Sequence, residues 1–143
     1  MKVNMEGALV RDWMTHDVIT IASDNTLPEA YQLMKENGIR RLPVIEDSRL
    51  VGIITWGDVR QASTSDLGPF RRFELDYLLS RLPVSEIMTR NPITVQPNTT
   101  IAHAAQIMME HKIGGLPVVD FDKLAGIITE QDVFRMLVLD QAA

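Results

Sequence analysis

Apolar and polar residues divide the chain into short alternating elements. Ile19-Thr20-Ile21 is a brief β-branched run, the signature of a strand. Thr26-Leu27-Pro28-Glu29 follows, a capping-box pattern with proline tolerated in the first helical turn. Leu27, Ala30, Tyr31 and Met34 then recur at helical spacing, and Gly38 suits a C-terminal stop. Leu42–Ile45 and Leu50–Ile54 are apolar and β-branched. They are joined by the polar turn Glu46-Asp47-Ser48-Arg49, which makes them a hairpin. These strands do not alternate polar with apolar residues, so both faces of their sheet are expected to be covered. A last helix is predicted to begin near Thr55.

The same order then returns. Ile93-Thr94-Val95 repeats the first strand. Ile101, Ala104, Ala105 and Met108 repeat the helix face after Thr100, and Leu116–Val119 with Leu124–Ile128 repeat the hairpin through Asp120-Phe121-Asp122-Lys123. A helix is predicted near Thr129. The offset is 74 residues throughout, relating Met14 to Met88, Pro43 to Pro117 and Asp58 to Asp132, without a gap between Val10–Val59 and Val84–Val133. Repeats of this kind stack to bury a shared core. The connection Gln61–Pro83 belongs to neither copy. Ser63-Thr64-Ser65-Asp66 and Gly68-Pro69 read as loop, while Phe70, Phe73, Tyr77 and Leu78 fit one side of a helix that packs its own apolar side, forms a dimer contact or covers a cleft.

Composition narrows the functional classes. A chain of 143 residues suits one ordinary domain or two small interdependent halves, and 45% hydrophobic with 23% charged residues is globular. No apolar run approaches the ~20 residues of a membrane span, and Met1–Glu6 has no secretory-signal pattern. A net charge of −5 argues against a nucleic-acid partner, which needs a basic footprint. Cysteine is absent, which removes disulfides and thiolate chemistry. His103 and His111 stand two helical turns apart beside a separate His16, a poor metal-ligand spacing. No phosphate-loop, dinucleotide or nucleophile–base pattern is present. An enzyme is therefore not expected. Trp13 and Trp56 read as packing residues, and Met34, Met88, Met108 and Met109 as core filler.

The repeated Thr-x-x-Asp of Thr55 to Asp58 and Thr129 to Asp132 has two physical readings. Each stands where a strand ends and a helix begins. Unpaired N–H groups and the positive end of the helix dipole there favour phosphate, the threonine hydroxyl can add a bond, and the aspartate can accept from ribose hydroxyls. The same residues can equally cap the helix. Both copies keep Thr and Asp while Trp56-Gly57 changes to Glu130-Gln131 between them, which capping explains less well, but on the residues alone both readings stand.

Met14-Thr15 and Met88-Thr89, the Leu-Pro-Val strands at Leu42 and Leu116, and the Gly-Ile-Ile-Thr-x-x-Asp endings, all present twice and in order, resemble the tandem CBS domain pair or Bateman module. The stretch Leu75-Asp76-Tyr77-Leu78-Leu79 before the second copy is similar to stand-alone members of the acetoin-utilisation-like type. The resemblance implies an α+β fold with α/β-type layers, made of two pseudo-twofold-related β-α-β-β-α repeats packed through their sheets. The repeats would span 8–62 and 83–139, with a partly helical insert at 63–82. It also implies a non-enzymatic regulatory module that binds AMP, ADP, ATP or another adenosyl compound such as S-adenosylmethionine in clefts between repeats and needs no other cofactor. Its partners would be that nucleotide, a second copy of the chain and a protein effector, in the cytoplasm, without membrane or nucleic acid. A structural or docking module with vestigial clefts is the alternative.

The resemblance places Arg40 and Arg41 near ligand phosphates, where guanidinium forks match phosphate geometry. Their counterparts Gly114 and Gly115 bring close backbone approach but no charge, so the two clefts are expected to be unequal. Thr15, Thr20 and Ile39, with Thr89, Thr94 and Ile113, would frame the base. Ile39, Pro43 and Val44 would line an apolar slot for it, with Pro117 the candidate in the second copy. With Thr55, Asp58, Thr129 and Asp132 these complete the candidate site.

Overall fold

The structure is a computed structural model that describes residues 7–64 and 79–142. Phe70, Phe73, Tyr77 and Leu78 of the connecting insert lie outside the described residues, as does most of the Leu75–Leu79 motif. The order of elements is helix α1 (Val10–Trp13), strand β1 (Ile21–Ala22), helix α2 (Leu27–Asn37), strands β2 (Arg41–Glu46) and β3 (Arg49–Thr55), and helix α3 (Trp56–Thr64). A 3-10 turn at Val84–Glu86 and strand β4 (Thr89–Arg90) come next. Helix α4 (Ile101–His111), strands β5 (Gly115–Asp120) and β6 (Lys123–Thr129), and helix α5 (Glu130–Ala142) complete the chain. This is a mixed α and β fold with two sheets, one per repeat body.

The two hairpins share one register. Arg41 faces Thr55 and Val44 faces Gly52 in the first, while Gly115 faces Thr129 and Val118 faces Gly126 in the second. Each carries an irregularity after that valine, between Val44 and Ile45 and between Val118 and Val119. The connecting residues Asp47-Ser48 and Phe121-Asp122 all have positive φ, between 48° and 66°. Such pairs make the two-residue turn whose twist matches the flanking strands. Leu42, Pro43 and Val44 are buried in succession, as are Leu116, Pro117 and Val118, so both faces of each hairpin are covered.

The first strands are shorter than their sequence predicts. Ile19-Thr20-Ile21 contributes only Ile21–Ala22, paired in parallel with Val44–Ile45. Ile93-Thr94-Val95 contributes one bridge, Val95 to Val118. Only Ile21 and Val95 reach a buried partner, while Thr20, Ile93 and Thr94 are exposed, so the β-branched run outlasts the pairing. The capping box at Thr26 also differs. Thr26 accepts no backbone cap bond; its hydroxyl instead meets the Glu29 carboxylate at 3.2 Å. In the second copy, Thr100 does cap, accepting from the His103 N–H at 3.1 Å.

The chain forms two compact units that cut across the sequence repeats. One joins Met1–Val18 to Ile93–Ala143, and the other is Ile19–Pro92. Each unit is thus the body of one repeat completed by the leading segment of the other. In the first unit, Val10 and Met14 enter the core of Ile101, Met108, Leu116, Val118, Ile128 and Met136. In the second, Val84 and Met88 enter the core of Leu27, Met34, Leu42, Val44 and Ile54. Backbone pairing fixes both placements. Thr15 exchanges hydrogen bonds with Ile127 at 2.9 and 3.1 Å, and β4 pairs with β3, Thr89 opposite Ile53 and Arg90 opposite Gly52.

Candidate functional site

Within the unit Ile19–Pro92, the candidate residues gather where β3 becomes α3. The Arg40 carbonyl accepts from the Trp56 N–H at 2.7 Å, which fixes the residue before β2 against the first turn of the helix. Asp58 Oδ2 accepts from the Thr55 N–H at 2.9 Å, and Thr55 Oγ1 accepts from the Asp58 N–H at 3.2 Å. This reciprocal pair is a capping box, and it consumes N–H groups that a phosphate would otherwise use. The helix start therefore has less free donor capacity than its sequence suggests. Among the described residues, the hydrogen bonds to the Asp58 carboxylate involve Oδ2 alone, and an ionised carboxylate can accept several more. The Thr55 hydroxyl likewise keeps its own proton to donate.

Strand pairing brings further candidates beside this turn. Arg41 stands opposite Thr55, and Pro43, Ile53 and Thr89 form one row across three strands. Pro43 is buried, Arg41 is half-buried, and Arg40 and Thr89 are exposed. Ile39 packs on the core with Trp56. Trp56 also stacks on Tyr31, with ring centroids 5.2 Å apart, so its packing role holds. Thr20 is exposed, next to the Ile21–Val44 pair.

The unit Met1–Val18 with Ile93–Ala143 repeats the plan with different chemistry. The Gly114 carbonyl accepts from the Glu130 N–H at 3.0 Å, and Gly115 faces Thr129. Pro117, Ile127 and Thr15 form the corresponding row. Ile113 packs on the core, and Thr94 is exposed beside the Val95–Val118 bridge. Asp132 is only 8% exposed. Its Oδ2 accepts from both the Thr129 N–H at 2.9 Å and the Thr129 hydroxyl at 3.1 Å. Its Oδ1 accepts from Arg135 Nη2 at 3.3 Å. Arg135 also donates to the Trp13 carbonyl at 2.8 Å, and its guanidinium lies 5.7 Å from the centre of the Trp13 ring. Sequence reasoning did not single out Arg135. The available signal was its place three residues after Asp132 on a helix, where side chains meet.

Each site thus draws on both repeats. The leading Thr15 or Thr89 of one lies in the same unit as the Thr-x-x-Asp of the other. Strand register sets the leading Thr15 beside the second copy's hairpin and the leading Thr89 beside the first's, while the first strands at Ile21 and Val95 pair within their own copies.

Comparison with known proteins identifies the family. The CBS domain family model matches twice, at residues 10–65 and 84–139, and the chain belongs to that family. The CBS domain pair of protein MJ0100, solved in complex with 5′-methylthioadenosine and S-adenosyl-L-methionine, is 31% identical with a TM-score of 0.76, covering 92% of this chain and 96% of that one. A candidate acetoin utilization protein (AcuB) from Vibrio cholerae is 31% identical with a TM-score of 0.77, covering 94% and 96%. CBSX2, solved in complex with AMP, is 30% identical with a TM-score of 0.80, covering 94% and 99%. Two curated relatives are the inosine-5′-monophosphate dehydrogenase of Korarchaeum cryptofilum, 40% identical over 136 residues, and the protein MJ1225 of Methanocaldococcus jannaschii, 37% identical over 133 residues; the chain spans 25% and 47% of their lengths.

Proposed function

We propose that this pair of CBS domains is a non-enzymatic regulatory module that binds an adenosine-containing ligand at the Asp58 and Asp132 sites. AMP, ADP, ATP and S-adenosylmethionine are the candidate ligands, with no further cofactor. One observation carries the reading. Both copies hold an aspartate in the first turn of a helix, anchored through one oxygen to its own threonine, in a unit that also presents the exposed leading threonine of the other repeat. The adenosyl compounds bound by the MJ0100 pair and AMP in CBSX2 support that ligand class.

The ribose hydroxyls would donate to the aspartates, and phosphates would lean on Arg40 and Arg41 in the first site. Pro43 with Ile39, and Pro117 with Ile113, would bound the base. Occupancy acts only through differential affinity for two states, and a tenfold preference is about 1.4 kcal/mol. The output would pass to a protein effector from a homodimer in the cytoplasm, the compartment that supplies these ligands. Among the described residues no helix is long and apolar enough to cross a membrane.

The capping geometry favours a second reading, a structural or docking module whose aspartates serve only their helices. Calorimetric titration of AMP, ADP, ATP and S-adenosylmethionine separates the two. Micromolar binding lost in Asp58→Asn or Asp132→Asn, with the fold retained, is the expected result. Absence of binding across the panel would leave only the structural reading.

A further inference from the structure

The two aspartates are repeat-equivalent but electrostatically unlike. Asp132 is already satisfied on both oxygens, by Thr129 on Oδ2 and by Arg135 on Oδ1. The residue equivalent to Arg135 in the first copy is Gln61, and the residue equivalent to Trp13 is Ile87. Neither replacement carries a charge to set against Asp58 or an aromatic face to seat a cation.

Resting on the adenosyl-ligand reading, we infer that Arg135 is a specificity-determining residue that latches the Asp132 site and restricts it to ligands carrying an anionic group. A ribose hydroxyl that reaches Asp132 shares Oδ1 with the Arg135 N–H and weakens that bond. A neutral nucleoside then leaves the guanidinium with less of its carboxylate partner. An anionic ligand gives that guanidinium a new partner at the moment it is released. The diglycine Gly114-Gly115 stands where the first copy has Arg40-Arg41, so in this copy the cation tied to the aspartate comes from helix α5 instead.

The geometry suits a latch that opens. The Arg135 side chain is 53% exposed, whereas that of Asp132 is 11% exposed, so the cation can swing while the carboxylate stays. With its guanidinium half in solvent, this pair is screened on one side and weaker than a fully enclosed one. Both residues face an open recess of about 490 Å³ on one side of helix α5, with Gln131, Phe134, Val138 and Leu139. The Trp13 carbonyl and ring hold the arginine in register until displacement. Trp13 directly precedes Met14-Thr15, so this anchor reports the seating of the leading segment.

Titration of adenosine and AMP into the full chain carrying Asp58→Asn reads the Asp132 site alone. With Arg135 intact, AMP should bind there at least about 10-fold more tightly than adenosine, the scale of one charge-assisted hydrogen bond. Arg135→Gln, the residue of the first copy, should weaken AMP about 10-fold and strengthen adenosine several-fold, so that the preference collapses. Arg135→Lys should keep most of the preference, because the charge remains. An AMP-to-adenosine ratio unchanged within about twofold, equal losses for both ligands, or no binding at this site in either background overturns the latch. The same ligands titrated into the chain carrying Asp132→Asn test the first site. Binding there with no Arg135 effect at the second sinks only this inference, whereas silence at both sites sinks the adenosyl reading as well.

Discussion

Gly52 and Met88 are packed so closely that a Cβ at position 52 would lie 2.5 Å from the Met88 sulfur, with the Thr89 carbonyl oxygen at 2.9 Å. The relationship recurs at Gly126, where the Thr15 carbonyl oxygen would lie at 2.6 Å and the Met14 sulfur at 2.7 Å. Leading Met-Thr and glycine are therefore one device. The glycine lets the segment of the other repeat cross the strand at backbone distance.

Substitution of either glycine by alanine should loosen that segment. Gly126→Ala is expected to cost the upper part of about 1–3 kcal/mol, the range for overpacking. Gly52→Ala should cost less, because its nearest obstacle is a flexible thioether rather than a backbone oxygen. Urea unfolding of the two variants gives the comparison. Equal stability in both and in the parent would refute the packing argument.

Helices α2 and α4 end in the same left-handed conformation with different residues. Gly38 has φ of 61°, and Lys112, its repeat equivalent, has φ of 55°. A side chain in that conformation carries a penalty of roughly 1 kcal/mol that glycine escapes. Lys112→Gly should raise stability by up to about 1 kcal/mol, and Gly38→Ala should lower it by a similar amount. Thermal denaturation of the pair measures both. A loss in Lys112→Gly would mean that the lysine side chain contributes more than the backbone saves.

Arg40 and Arg41 face the ligand question directly. In the double variant Arg40→Ala with Arg41→Ala, ATP affinity should fall by about 10-fold or more, and adenosine affinity by less than about threefold. The ATP preference of the parent should also weaken as salt is raised, since exposed charges are screened. Calorimetry at low and high salt tests both statements. Equal losses for ATP and adenosine would remove these arginines from phosphate binding.

Much of this molecule was legible in the sequence because its causes are local. The hairpin around Asp47-Ser48 and its copy at Phe121-Asp122 follow from apolar runs separated by polar turns. Helices α2 and α4 follow from spacing and stop signals. The constant offset of 74 residues disclosed two bodies and paired every candidate side chain with its twin. The pattern overstated the first strands, because β-branched residues mark what can pair and not how far a partner extends. It overstated the capping box at Thr26 for a similar reason, since the threonine hydroxyl has more than one partner within reach.

Residue order alone determined the repeat and the twin Thr-x-x-Asp turns, because periodicity and turn chemistry act over a few neighbouring residues, and the fold class came from the family resemblance those motifs carry. Only the tertiary structure decided that Thr15 belongs beside Ile127 and Thr89 beside Ile53. It also decided that Arg135 ties Asp132 to Trp13, a hydrogen bond between residues 122 positions apart. Such contacts depend on which segment completes which core. That is settled by strand register and by the space a glycine leaves, and no local pattern encodes it.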